Sequence, residues 1–214
     1  MESRAKQFIH AIFDVNNPFM LASERVLNLF VLNLLFVLFC LPLLTIGPAK
    51  IALYSCLQRL HEGRRTGFVG AFLRAFKENI VQGGILGIIE MLVVTFCLFD
   101  LYLLNNQKGF LVQGLQSLFI AILFLTILIF SYVYPLVSRR LLTTKEALKT
   151  SLILAGLNLP WSILIVTVWV GLGLVLTINA LTLMMGLSAL LLFGFAGFAY
   201  IHNILMNAIF QKYN

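Results

Sequence analysis

Charge is what this sequence has least of. Fifteen Lys and Arg and eight Asp and Glu make up 11% of its 214 residues, where a soluble globular domain carries about 25%. A surface so poor in charge cannot all face water, so a soluble globular fold is excluded. Runs of alternating apolar and polar residues are missing as well, which excludes the closed β-barrel, the other architecture able to cross a bilayer. The residues of catalytic chemistry are just as sparse. His10, His61 and His202 stand far apart, and no GxxxxGK[ST] loop, GxSxG turn or HExxH pair occurs. Cys40, Cys56 and Cys97 are odd in number and lack CxxC spacing. They read as small hydrophobes, with no disulfide, metal or cofactor implied. An enzyme is not expected.

What the chain has instead is apolar length. Hydrophobic residues are 61% of the total, and they gather in five runs, 26–46, 80–104, 115–137, 161–178 and 181–201. A spanning helix needs about 20 such residues. The expected fold is an all-α membrane protein, a five-transmembrane-helix bundle forming one integral membrane domain over residues 1–214. The last two runs are separated only by "TINALT", so they should form a tight hairpin. The first 25 residues contain Glu2, Asp14 and Glu24 and do not read as a cleaved signal. The first run is expected to be a retained anchor, with "FIHAIFDVNNPFMLASERV" lying at the outer interface.

The net charge of +7 is distributed as a membrane protein distributes it. Five spans place the first loop, the third loop and the C-terminus on one side, with eleven Lys and Arg; the other side has four. The positive-inside rule then puts the N-terminus outside and the C-terminus in the cytoplasm. Anionic membrane lipids are the expected partners of the basic loops, each basic residue near the headgroups being worth about 1 kcal/mol. No charge is left over for nucleic acid.

Residues 40–65, "CLPLLTIGPAKIALYSCLQRLHEGRR", leave the first apolar run through Pro42 and Pro48. At helical spacing Ala49, Ala52, Leu53, Cys56, Leu57 and Leu60 share one face, while Lys50, Ser55, Gln58, Arg59, His61 and Glu62 fall outside it. An amphipathic helix of about four turns, too short to cross, is expected along the cytoplasmic surface. A second one follows over 68–79. There Phe68, Phe72 and Phe76 recur every fourth residue, with Arg74, Lys77 and Glu78 opposite. The pair, about 48–79, is expected either to rest in the headgroups or to dock a partner through Phe68, Phe72, Phe76, Arg64, Arg65, Arg74 and Lys77. The third loop echoes the first: each runs from an Arg pair to an Asn, Asn79 or Asn158, and then into a span.

Two acids fall within the spans, Glu90 and Asp100. Gly83, Gly87 and Glu90 share a helix face, and the Gly83-xxx-Gly87 spacing admits a close neighbour. Two readings stand. Glu90 could form a proton- or cation-linked site, although Asp100, toward the outer end of the span, is expected to reach the headgroups and leaves no second charge at depth to complete a relay. It could instead clamp two helices through Asn28 or Asn33 of the first span. A polar path for a conduit would have to draw on Asn28, Asn33, Glu90, Thr95, Thr167 and Asn179.

"NPF" (17–19), "LNLLF" (32–36), "CLPLLTIGPAKIALY" (40–54) and "AFKEN" (75–79) resemble, in order and spacing, the YesL-like family of bacterial integral membrane proteins. Lys50 departs from that pattern, which has a small residue at the helix start. The resemblance covers about the first 85 residues. It implies an accessory membrane component of a carbohydrate importer of the ATP-binding-cassette type in the bacterial cell membrane, with the permease subunits as partners. The alternative is a small self-contained transporter or channel, acting alone or as a homo-oligomer.

Overall fold

The computed structural model describes residues 18–64, 67–107 and 109–212, and within them the chain is helical with no strand. Helix α1 is Pro18–Cys40, followed by a 3₁₀ turn, Leu43–Thr45. Next come α2 (Ile46–His61), α3 (Phe68–Glu78), α4 (Ile80–Leu104) and α5 (Phe110–Val137). Then follow α6 (Thr144–Leu157), α7 (Leu159–Leu176) and α8 (Ala180–Ala189). A π turn, Leu190–Gly194, runs straight into α9, Phe195–Lys212. Five segments are long and apolar enough to span a membrane: Ser23–Cys40, Ile80–Leu104, Phe110–Val137, Leu159–Leu176 and Ala180–Lys212. The molecule is an all-α membrane bundle. The segment expected at the outer interface lies largely outside the described residues.

The first span stops at Cys40, earlier than the apolar run suggests. Pro42 disfavours helical geometry at Leu41 and has no N–H to continue the ladder. Thr45 closes the break, its hydroxyl donating to the Phe39 and Pro42 carbonyls at 2.6 Å each. The α7–α8 hairpin turns where expected. Asn179 caps α8 by accepting from Thr182 N–H at 2.7 Å, and Thr182 Oγ1 accepts in return from Asn179 N–H.

Helix α2 departs furthest from expectation. It does not lie on a surface with one apolar face inward. Ten of its sixteen residues are buried, from Gly47 to Leu60, and it packs against α1, α3, α4, α5 and α9. Its small residues explain this, because Gly47, Ala49 and Ala52 let neighbouring helices approach from several sides. A helix too short to cross is tolerated at membrane depth when protein surrounds it. Residues 46–61 form a core helix, around which the longer helices stand.

Helix α3 is correspondingly turned over. Phe68, Phe72 and Phe76 face inward, 6%, 0% and 7% exposed, so they are not available to a partner. Phe72 and Phe76 pack on Phe39 of α1, with ring centroids 5.6 and 4.7 Å away. Arg74 and Lys77 occupy the exposed side together with Val69 and Leu73.

The echo between the two basic loops has a structural counterpart. Asn79 and Asn158 each end a short helix and begin a span. Each donates its side-chain amide back to the carbonyl four residues earlier, Ala75 at 2.8 Å and Leu154 at 3.0 Å. Each backbone carbonyl then accepts the first bond of the span, from Gly83 N–H and Ser162 N–H. One residue thus serves the end of one helix and the start of the next.

Candidate functional site

The polar centre of the bundle forms around Glu90, near the middle of α4. Lys50 of α2 donates its ammonium to both carboxylate oxygens, at 2.8 and 2.7 Å. The Tyr134 hydroxyl of α5 donates to Oε2, and the Lys50 ammonium sits 4.6 Å from the centroid of the Tyr134 ring. A lone charge at bilayer depth costs about 2.5–3.5 kcal/mol on insertion scales. Here the charges cancel, and the hydroxyl and ring contacts add to the pairing. The pair is not sealed: the side chains are 28% and 22% exposed. Its chemistry suits a clamp across three helices better than a proton carrier, because both carboxylate oxygens are already taken by Lys50 and Tyr134.

Two glycines bring α2 within reach. Gly47 and Pro48 lie directly on Gly83 and Gly87 of α4. A β-carbon on Gly83 would lie 2.7 Å from Pro48 N and Cα, one on Gly87 3.0 Å from Gly47 N, and one on Gly47 would collide with the Gly83 carbonyl. The close neighbour expected at the Gly83-xxx-Gly87 face is therefore α2, not the first span.

Asn33 has a different task. Its amide donates to Leu190 O at 3.1 Å and Leu191 O at 2.7 Å, and its carbonyl accepts from Ala196 N–H at 2.9 Å. These are backbone groups in or next to the π turn, which breaks the regular α-helical ladder. In a bilayer such groups need a partner from the protein. Asn28 lies half-buried on the same helix. Neither asparagine bonds Glu90, so the clamp expected through the first span is not made.

A cavity of about 650 Å³ adjoins the cluster, with Lys50, Tyr54, Glu90, Tyr134 and His202 on its polar wall and Phe36, Trp169 and Phe195 among its apolar ones. Tyr54 and His202 tie α2 to α9, hydroxyl to Nδ1 at 2.7 Å. Of the remaining sequence-derived candidates, Arg64 is exposed and pairs with Glu62 at 2.8 Å. Arg65 lies outside the described residues. Lys50 and Tyr134 are the residues sequence reasoning missed. Lys50 falls outside the apolar runs, and its departure from the resembled pattern was the one signal that could have found it.

That departure lies inside a region with known relatives. Residues 29–101 match DUF624, a family described as protein of unknown function. The DUF624 match takes in Asn33, Gly47, Lys50, Gly83, Gly87 and Glu90, and leaves Tyr134 and His202 outside. No curated protein and no solved structure matches the chain.

Proposed function

We propose that the chain is an accessory membrane component of a carbohydrate or glycan importer of the ATP-binding-cassette type, packing against the permease subunits in a bacterial cell membrane. The proposal starts from the YesL-like resemblance of residues 17–79. Its orientation is N-terminus outside and C-terminus cytoplasmic, supported by the eleven basic residues on one side against four on the other.

One observation favours this reading over a conduit. Four of the six polar side chains that a path through the bundle would draw on are already engaged within the chain. Glu90 is held by Lys50 and Tyr134, and Asn33 by the π turn. Thr167 bonds back to Ile163 O at 2.8 Å, Asn179 caps α8, and Thr95 is exposed on its helix. The partner surface moves accordingly. With the phenylalanines buried, Val69, Leu73, Arg74 and Lys77 form the outward face of α3 for docking.

The test is a mild-detergent pull-down of the tagged protein from its own membranes, with partners identified by mass spectrometry. Stoichiometric sugar-importer permeases, lost on Arg74→Glu and Lys77→Glu, support the reading. Recovery of the protein alone or as a homo-oligomer sinks it and directs attention to transport by the chain itself.

A further inference from the structure

The ends of α2, α5 and α9 converge on a cleft of about 570 Å³, distinct from the cavity beside Glu90. Among the described residues four arginines line it, Arg59, Arg64, Arg139 and Arg140, against a single carboxylate, Glu62. Glu62 is already engaged, accepting from Gln58 Nε2 at 3.0 Å and from Arg64 Nε at 2.8 Å.

Arg139 is fixed in place. Its Nη2 donates to Asn203 Oδ1 at 2.6 Å, and its guanidinium lies 4.8 Å from the Phe210 ring centroid. Burial pulls its pKa down to about 10, which still leaves it charged at neutral pH. Two donors at this cleft are buried without a partner among the described residues, Arg139 Nε and Asn207 Nδ2. Asn207 is 92% buried, being only 8% exposed. Buried donors in folded proteins nearly always have an acceptor. Gln58 Oε1 is a buried acceptor equally without a donor.

We propose that this cleft binds a phosphate ester, with the phosphate among the guanidiniums and a neighbouring hydroxyl donating to Gln58. Three phosphate oxygens can accept from several N–H groups at once, and the guanidinium fork matches their geometry. A glycerophosphate fits these requirements, either as a lipid headgroup or as a small soluble ester.

The experiment uses the full-length protein purified in detergent. One arm titrates phosphatidylglycerol against phosphatidylcholine of the same chains by native mass spectrometry. The other titrates glycerol phosphate against sodium chloride at equal ionic strength by calorimetry. Preferential binding in the first arm identifies the headgroup as the source, and binding in the second identifies the soluble ester.

In whichever arm binds, Arg139→Gln and Arg59→Gln each weaken binding by about tenfold or more, as expected for a lost charge-assisted hydrogen bond. Lys149→Gln removes the same charge at an exposed position outside the cleft and leaves binding unchanged. If Arg139→Gln does not fold, the half-exposed Arg59 position decides. Absence of preference for either anionic probe overturns the proposal. So does a loss with Lys149→Gln equal to that with Arg59→Gln.

Discussion

Lys50 and Glu90 stand forty residues apart in sequence and meet inside the bundle, the ammonium within 2.8 Å of both carboxylate oxygens. The contact joins α2, a helix too short to cross a membrane, to α4, one that crosses by length and composition. Breaking a buried pair from one side leaves a charge without its partner, at about 3–5 kcal/mol. Partial exposure of this pair places the expected loss toward the lower end of that range. Glu90→Ala and Lys50→Ala should each lower the unfolding midpoint in detergent, and Lys50→Met with Glu90→Leu should recover most of the loss. A double mutant as unstable as the sum of the singles would show that the two residues do not act as a pair.

The Gly47–Gly83–Gly87 contact is steric, so its prediction concerns size. Gly83→Ala places a β-carbon 2.7 Å from the Pro48 backbone, whereas one at Gly84 meets nothing within 4 Å. Overpacking of this kind costs about 1–3 kcal/mol. Gly84→Ala, one residue on, should be neutral or raise stability slightly through helix propensity, by up to about 1 kcal/mol. Thermal unfolding of the two variants side by side separates a packing effect from a general glycine effect. Equal behaviour would remove the close α2–α4 approach from the explanation of the fold.

Asn33 makes a prediction about the π turn. Asn33→Ala leaves the Leu190 and Leu191 carbonyls and the Ala196 N–H without their side-chain partner. Each unsatisfied buried group costs about 1–3 kcal/mol. The expected readout is faster amide hydrogen exchange at Ala196, together with lower thermal stability. Unchanged exchange at Ala196 would mean that the turn holds without Asn33.

These residues also show how far the sequence could be read. Five spans, the α7–α8 turn and the twin asparagines are local features, set by apolar length and capping chemistry, and each is visible in a short window. The fate of α2 is not local. Its helical period was visible, but one apolar face meant a surface only if nothing covered the other sides. Gly47, Ala49 and Ala52 permit that cover, and the helices supplying it arrive from as far along the chain as His202. Lys50 is hidden for the same reason: a charge outside every apolar run becomes an interior charge only once its helix is packed into the bundle. The Phe68, Phe72 and Phe76 stripe was a true helical face with its destination misjudged, since a stripe fits its own chain as well as a partner.

Orientation yields the last prediction, because a buried α2 bears on how many times the chain must cross. Helix α2 begins at the Gly83 and Gly87 contact and ends beside Arg139 and the C-terminal part of α9. It therefore leaves the bundle at the end that carries the third loop and Lys212, and adds no crossing to the count of five. The first loop, third loop and C-terminus then share a side, the cytoplasmic one in the proposed orientation. Single cysteines in place of Lys108 and Lys145, in a background with Cys40, Cys56 and Cys97 changed to Ala, should react with a membrane-impermeant maleimide from opposite faces. Position 108 should label in intact cells, and position 145 only after the membrane is opened. Labelling of both from the same face would require an even number of crossings between them, and the helix Phe110–Val137 would then not be a span.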